Sequence, residues 1–194
     1  GLPVGIAGPS TKAIPADVDH DGDLDLMLLG GGSTQLLSND GTGKFAEISA
    51  VAGLGASTGG RQAVFADFDN DRDLDFVIAT AGGGQLFTNN RDGTFSDIAA
   101  DLGLAGLDAA DIWVEDFNQD SYMDLGALGP AGQFTLYLNQ HGHGFAAQPD
   151  LPLQGEGHLL RGADFDNDGD LDLLAAGSWG LQPLLWRGGK LQTE

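Results

Sequence analysis

Carboxylate-dense loops of one design recur along this chain at a nearly fixed interval. A chain built that way has to fold as a repeat. The first loop, ADVDHDGDLDL, carries Asp17, Asp19, Asp21, Asp23 and Asp25. The second, ADFDNDRDLDF, carries Asp67, Asp69, Asp71, Asp73 and Asp75. The third, EDFNQDSYMDL, is sparser, with Asp116, Asn118, Asp120, Tyr122 and Asp124 at the matching places. The fourth, ADFDNDGDLDL, carries Asp164, Asp166, Asp168, Asp170 and Asp172. The loops begin 50, 49 and 48 residues apart and hold 18 of the 29 Asp and Glu residues. A period of roughly 20–50 residues is the signature of solenoids, propellers and arrays, and it governs how every motif inside it is read.

The rest of each unit keeps the same register. Short apolar runs follow the loops at 24–29, 74–79, 125–128 and 171–176, apolar on both alternating faces as in a strand covered on both sides. A glycine-rich turn comes next (GGGST, AGGGQ, GPAGQ, GSWGL), then a second run (QLLSN, QLFTN, TLYLN, PLLWR). Hairpin turns of the DGTGK, RDGT and HGHG kind lead to Phe45, Phe95 and Phe145, and AEISAVAGL or SDIAADLGL completes the unit. One more short strand (AVFAD, LLRGAD) precedes each loop. The expected fold is all-β: a β-propeller over 1–194, with four-stranded antiparallel blades of about 49 residues and acidic loops at 17–25, 67–75, 116–124 and 164–172. A four-stranded meander cannot bury both faces alone, so neighbouring blades must stack.

Within a loop, oxygens stand at positions 1, 3, 5 and 9 of nine residues. Alternate side chains of a tight loop converge, and a hard cation that takes six to eight oxygens makes that convergence favourable. Position 7 (Asp23, Asp73, Tyr122, Asp170) would serve through its carbonyl, since tyrosine is tolerated there, and the position 9 aspartates would close the site. The EF-hand is excluded because Leu28, Ile78, Ala127 and Ala175 stand where its Glu belongs. Calcium is preferred to magnesium, which keeps more of its water, and to zinc or copper, which want His or Cys. Four calcium ions would take the formal charge from −21 to −13. Position 6 calls for positive φ, free to Gly22 and Gly169 but costing roughly 1 kcal/mol at Arg72 and Ser121. The first and fourth loops are therefore expected to bind best and the third worst.

The same charge excludes nucleic acid as a partner and disfavours anionic membrane surfaces. No apolar run nears the ~20 residues of a membrane helix, so no membrane insertion is expected. With no cysteine, disulfides and thiolate chemistry are absent. No GxSxG elbow occurs, and His141 and His143 fall in a hairpin where turn filler is the simpler reading. Trp113, Trp179 and Trp186 read as packing residues, with Trp179 the one its turn would display.

ADFDNDGDLDL, the Asn90–Phe95 hairpin and the Ala52–Leu54 "AGL" resemble the FG-GAP/VCBS repeats of integrin-α-like propellers, most nearly the cartilage acidic protein and ASPIC/UnbV group. The resemblance implies an extracytoplasmic, calcium-binding propeller acting in recognition or adhesion, at a cell surface, outside the cell or in the periplasm. Such propellers usually have seven blades. The expectation is therefore part of a larger ring, its remaining blades belonging to a longer parent chain. A closed four-bladed ring is the second reading, and a dimer sharing one ring the third. The candidate surface for a protein or glycan ligand is the rim opposite the calcium loops (GASTGGRQ, AGLDAAD, QGEGHLL). That rim has few ionisable groups: Arg61, Asp108, Glu156 and His158. The alternative is a propeller enzyme, a hydrolase or lyase, with its site on that rim or in missing blades.

Overall fold

The computed structural model describes residues 10–30, 32–55, 59–153 and 155–193, and among them every helix-free segment that is regular is a β-strand. The first blade is β1 (Ser10–Ala16), β2 (Asp25–Gly30), β3 (Gln35–Asn39) and β4 (Phe45–Glu47). The second is β5 (Gly60–Ala66), β6 (Asp75–Thr80), β7 (Gly83–Asn89) and β8 (Phe95–Asp97). The third is β9 (Asp111–Glu115), β10 (Asp124–Leu128), β11 (Gln133–Asn139) and β12 (Phe145–Ala147), with β13 (Leu151–Pro152) added beside β11. The fourth is β14 (Gly157–Ala163), β15 (Asp172–Gly177), β16 (Gly180–Trp186) and β17 (Leu191–Thr193).

Each blade is an antiparallel meander in chain order, as the repeat predicts. The fifth strand of the third blade is a departure. There QPDLPLQ replaces the AGL segment of the earlier repeats, and Leu151 and Pro152 pair with Phe134 and Gln133 instead.

Both faces of the second strand are buried because each meets a different neighbour. Phe76 and Ile78 of β6 pack with Met27, Leu29 and Leu36 of the first blade. Val77 and Ala79, pointing the other way, pack with Ile112, Leu125 and Ala127 of the third. The third and fourth blades meet through Phe117, Phe134, Leu136, Leu160, Leu173 and Trp186. Each such large side chain, once buried, contributes about 1.5–3 kcal/mol. The AGL segments stitch one blade to the next: Phe95 N–H donates to the Ala52 carbonyl and Phe145 N–H to the Leu102 carbonyl, both at 2.8 Å. Gly53 lies against the Phe95 carbonyl with φ of 86°, so a side chain there would be strained and crowded.

The first strands of the blades adjoin one another, and Thr11, Arg61, Ala110 and His158 line a shared axial cavity of ≈ 550 Å³. The antiparallel order puts the acidic loops and the β3–β4-type hairpins on one rim, and the glycine-rich turns and blade connections on the other. On that second rim Arg61 is paired with Asp108 at 2.7 Å, tying the second blade to the third. Residues 56–58 of GASTGGRQ and Gln154 of QGEGHLL lie outside the described residues. Trp113 and Trp186 pack as expected, but Trp179 is not displayed by its turn. It is folded back against the third–fourth blade core, where Gly132, Gly155 and Gly177 leave room for its ring.

Candidate metal centres

All four acidic loops are wound the same way, and their own carboxylates wind them. The position 1 carboxylate accepts the N–H of position 6: Gly22 to Asp17, Arg72 to Asp67, Ser121 to Asp116 and Gly169 to Asp164, at 2.8–3.2 Å. The position 5 carboxylate accepts the N–H of position 7, at 2.9–3.0 Å in every loop. The backbone is left-handed at position 6 as expected, with φ of 93°, 76°, 74° and 94°. It is left-handed at position 4 as well, where His20, Asn70, Gln119 and Asn167 have φ of 58–63°.

Position 9 has a role that spacing alone did not reveal. Both oxygens of this buried carboxylate accept backbone N–H groups, one from position 2 of its own loop and one from the third strand of the blade. Asp25 takes Val18 and Asn39, Asp75 takes Phe68 and Asn89, Asp124 takes Phe117 and Asn139, and Asp172 takes Phe165 and Trp186, all at 2.7–3.1 Å. Burial pushes the Asp75 and Asp124 carboxyls up to about 6, against the lowering effect of those N–H donors. Burial also raises Asp25 and Asp69, and neighbouring aspartates add to it.

In three loops the carboxylates come together. Asp17, Asp19 and Asp25 each offer an oxygen within 4.8 Å of the others, as do Asp164, Asp166 and Asp172, and Asp67, Asp69 and Asp71. Among the described residues the third loop forms no such trio. There the amide of Asn118 donates to Asp120 at 3.1 Å, which settles the loop with its own donor. In the first loop Asp17 Oδ1 is buried with no hydrogen-bond partner, an acceptor aimed at nothing the chain provides. Three converging carboxylates and an orphaned acceptor form a donor set suited to a hard divalent cation, so the residues present fit calcium.

The position 7 side chains of the second, third and fourth loops have partners outside their own loops. Asp73 meets His20 of the preceding loop at 3.4 Å and the guanidinium of Arg91, which also lies on Asp71 at 3.3 Å and on the Asp71 carbonyl. Asp170 accepts from Gln119 at 3.0 Å, and Asn70 donates to the Ser121 carbonyl at 3.0 Å. Position 4 of each of the first three loops therefore reaches the next loop along the rim, a contact that no residue identity announces. The second loop is also served by Arg91, a cation from its own hairpin. His141 stands 3.6 Å from Asp120 and edge-on to Tyr122 in the third, where it fills the turn and forms no pair with His143 among the described clusters.

A family described as an FG-GAP-like repeat matches this sequence over residues 17–78, 67–127 and 116–175. No curated protein matches it. Among solved structures, an Agrocybe aegerita lectin that recognises non-reducing terminal N-acetylglucosamine is 20% identical with a TM-score of 0.60, over 94% of this chain and 51% of that one. BBS1N, solved in complex with ARL6DN, is 12% identical with a TM-score of 0.61, over 97% and 56%. A Photorhabdus luminescens Tc holotoxin pore is 20% identical with a TM-score of 0.53, over 100% and 10%. At these identities the likeness is one of fold. The chain spans about half the length of the first two.

Proposed function

The chain belongs to the FG-GAP-like repeat family, and from that premise we propose that it is a calcium-stabilised interaction module working outside the cytoplasm, at a cell surface, in the extracellular space or in a periplasm. The observation that carries the reading is the first loop, where Asp17, Asp19 and Asp25 converge within 4.8 Å around a buried oxygen that has no partner. Like charges held that close repel unless a cation or protons intervene. Asp164, Asp166 and Asp172 repeat the arrangement.

Calcium, when bound, would neutralise these carboxylates and hold the loop closed. Asp17, Asp19 and Asp25, with Asp164, Asp166 and Asp172, would be its principal ligands. The winding of the loops by their own carboxylates and the hydrogen bonds between loops mean that order gained in one loop stiffens the rim. The ligand-facing surface is the opposite rim, with its blade connections and paired Arg61 and Asp108, and its ligand is a protein or a glycan. Loops of this kind in extracellular modules bind calcium at roughly 10⁻⁴–10⁻³ M, so a tenfold excess of free calcium adds about 1.4 kcal/mol per site. That setting and that affinity suit each other.

Thermal unfolding in millimolar calcium, in magnesium and in chelator tests the reading. The expected outcome is a rise in melting temperature with calcium that exceeds the rise with magnesium, and that is halved or more by Asp19→Asn combined with Asp166→Asn. Equal curves in the three buffers would leave the loops as solvated turns and remove the calcium assignment.

A further inference from the structure

At the first two interfaces between blades, the connection leaving one blade curls into a groove beside the fourth strand of the next. Ile48 and Ile98 N–H donate to the Leu36 and Leu86 carbonyls at 2.9 and 2.8 Å. The chain then turns back on itself, with Leu54 N–H on the Ser49 carbonyl and Leu104 N–H on the Ala99 carbonyl. Each turn offers one carbonyl to the next blade: Ala52 to Phe95 N–H and Leu102 to Phe145 N–H, both at 2.8 Å. Gly53 and Gly103 follow, with φ of 86° and 84°, each so close to the Phe carbonyl that a side chain would press on it.

The third interface has the same groove without the turn. Gln148 N–H makes the same first bond, to the Leu136 carbonyl at 2.7 Å, but Pro149 follows and the chain runs straight on as β13. Leu104 comes six residues after Ile98, with its carbonyl over Gly84. Leu151 reaches the matching level, beside Phe134, only three residues after Gln148. The residues that are missing are those of the turn. In their place is a cavity of ≈ 630 Å³ between Phe134, Leu136 and Leu151 of the third blade and Lys190, Leu191 and Gln192 of the fourth. Both walls and the shortened connection lie within the described residues, so QPDLPLQ itself sets the opening.

Leu191 stands where Phe95 and Phe145 stand in the blades before it, at the head of the fourth strand. Arg187 N–H donates to the Lys190 carbonyl at 2.9 Å, which makes Trp186 and Leu191 a non-hydrogen-bonded pair and turns the Leu191 N–H out of the blade. Among the described residues no group accepts that N–H. A backbone donor at the wall of an apolar groove is one that folded proteins pair.

We propose that the groove between the third and fourth blades is the docking site for a short peptide segment of a partner protein. The segment carries an apolar residue followed by glycine in a tight turn. The apolar residue's carbonyl accepts the Leu191 N–H, and its glycine lies under the Leu191 carbonyl. The occupant is defined by what fills the two sister grooves. A cavity of this size is in the range of formed ligand sites. Main-chain pairing at a strand edge supplies affinity there, and the pocket beside it supplies selectivity. The site lies apart from the calcium loops and rests on neither them nor the opposite rim.

Amide hydrogen exchange, followed by NMR with and without the blocked peptide IAADLGLA, tests this; the peptide is the chain's own sequence from 98 to 105. In the chain alone, Phe95 and Phe145 N–H should exchange slowly and Leu191 N–H at least about 100-fold faster. Millimolar peptide should slow Leu191 at least about 10-fold and shift the resonances of Leu136, Leu151 and Gln192, leaving Phe95 and Phe145 unmoved. The same peptide with its glycine changed, Gly103→Ala, should bind at least about 10-fold more weakly, because alanine is strained at that φ. No change at Leu191 up to millimolar peptide would overturn the proposal, and so would equal binding of the alanine peptide. A Leu191 N–H already slow in the chain alone at every concentration would mean that the chain fills its own groove. Protection that appears only as the protein concentration rises would give the groove to a second copy. Either result would overturn docking of a partner's peptide.

Discussion

Asp124 holds the third loop with both of its oxygens, one on Phe117 N–H and one on Asn139 N–H, while itself fully buried. Because this loop gathers no carboxylate trio, the scaffold role can be read there with the least contribution from metal. Asp124→Ala leaves two buried donors unsatisfied at about 1–3 kcal/mol each, so chemical denaturation should show a loss of about 2–5 kcal/mol. Asp124→Asn keeps one acceptor and no charge, and should cost about 1 kcal/mol. Equal losses for the two variants would show that the charge, and not the acceptor geometry, holds the loop. The raised carboxyls add a pH dependence of definite sign. With Asp75 and Asp124 near 6 in the folded chain against 3.8 unfolded, the native state holds more protons between those values. Their contribution is fully present below 3.8 and is lost as pH rises through about 6. In chelator, acidification from neutrality through 6 should therefore raise the melting temperature, and Asp75→Asn should flatten that slope. A slope unchanged by the substitution would place the effect on other groups.

At the scale of the loop and its hairpin, the second and fourth blades each carry their own cation, Arg91 in the second and Arg187, 3.2 Å from Asp166, in the fourth. Arg91 lies on Asp71 and Asp73 from the β7–β8 turn, whereas the first blade has Gly41 in that place, against Asp23. Arg91 is 55% exposed, so in chelator its loss should change stability little. The larger consequence is for calcium. Arg91→Gln frees the carboxylates of the second loop, so its calcium-induced rise in melting temperature should exceed that of the unaltered chain. An equal rise would mean that Arg91 and the cation do not compete. Much of this was legible in the sequence: the 48–50-residue period, the four strands per unit and the Phe at the head of the fourth strand in the first three blades carry local chemistry that any strand or turn of that kind needs. What was not legible depends on neighbours. ADFDND occurs at 66–71 and again at 163–168, yet Phe68 is 3% exposed and Phe165 is 45% exposed. Identical letters cannot say what packs against them. Position 4 escaped notice because an imidazole or either amide can reach the next loop equally well. The double duty of position 9 escaped because one spacing serves both a metal ligand and a backbone acceptor. Trp179 was misjudged because much of its room is made by Gly132 and Gly155, both distant in sequence.

For the whole molecule the dominant quantity is the formal charge of −21, most of it gathered on one rim. Position 4 of each of the first three loops touches the next loop, so the carboxylate groups form a continuous band. Self-repulsion along such a band opposes the compact state and is reduced by ions in two distinguishable ways. Monovalent salt screens it without regard to site, and the screening length falls from about 30 Å at 0.01 M to about 10 Å at 0.1 M. A cation bound in a loop removes charge outright, at far lower concentration and with saturation. In chelator, then, the melting temperature should climb steadily with sodium chloride. In saturating calcium it should start higher and climb less, because as many as 8 of the 21 net negative charges would be cancelled at the loops. Differential scanning calorimetry across a salt series in the two buffers measures both slopes. Parallel slopes would mean that calcium acts only as a stronger screening ion, and that the band is a surface charge and not a set of sites. Slopes that converge at high salt would place the cation in the loops, because only site-bound charge takes away the repulsion that screening would otherwise have relieved.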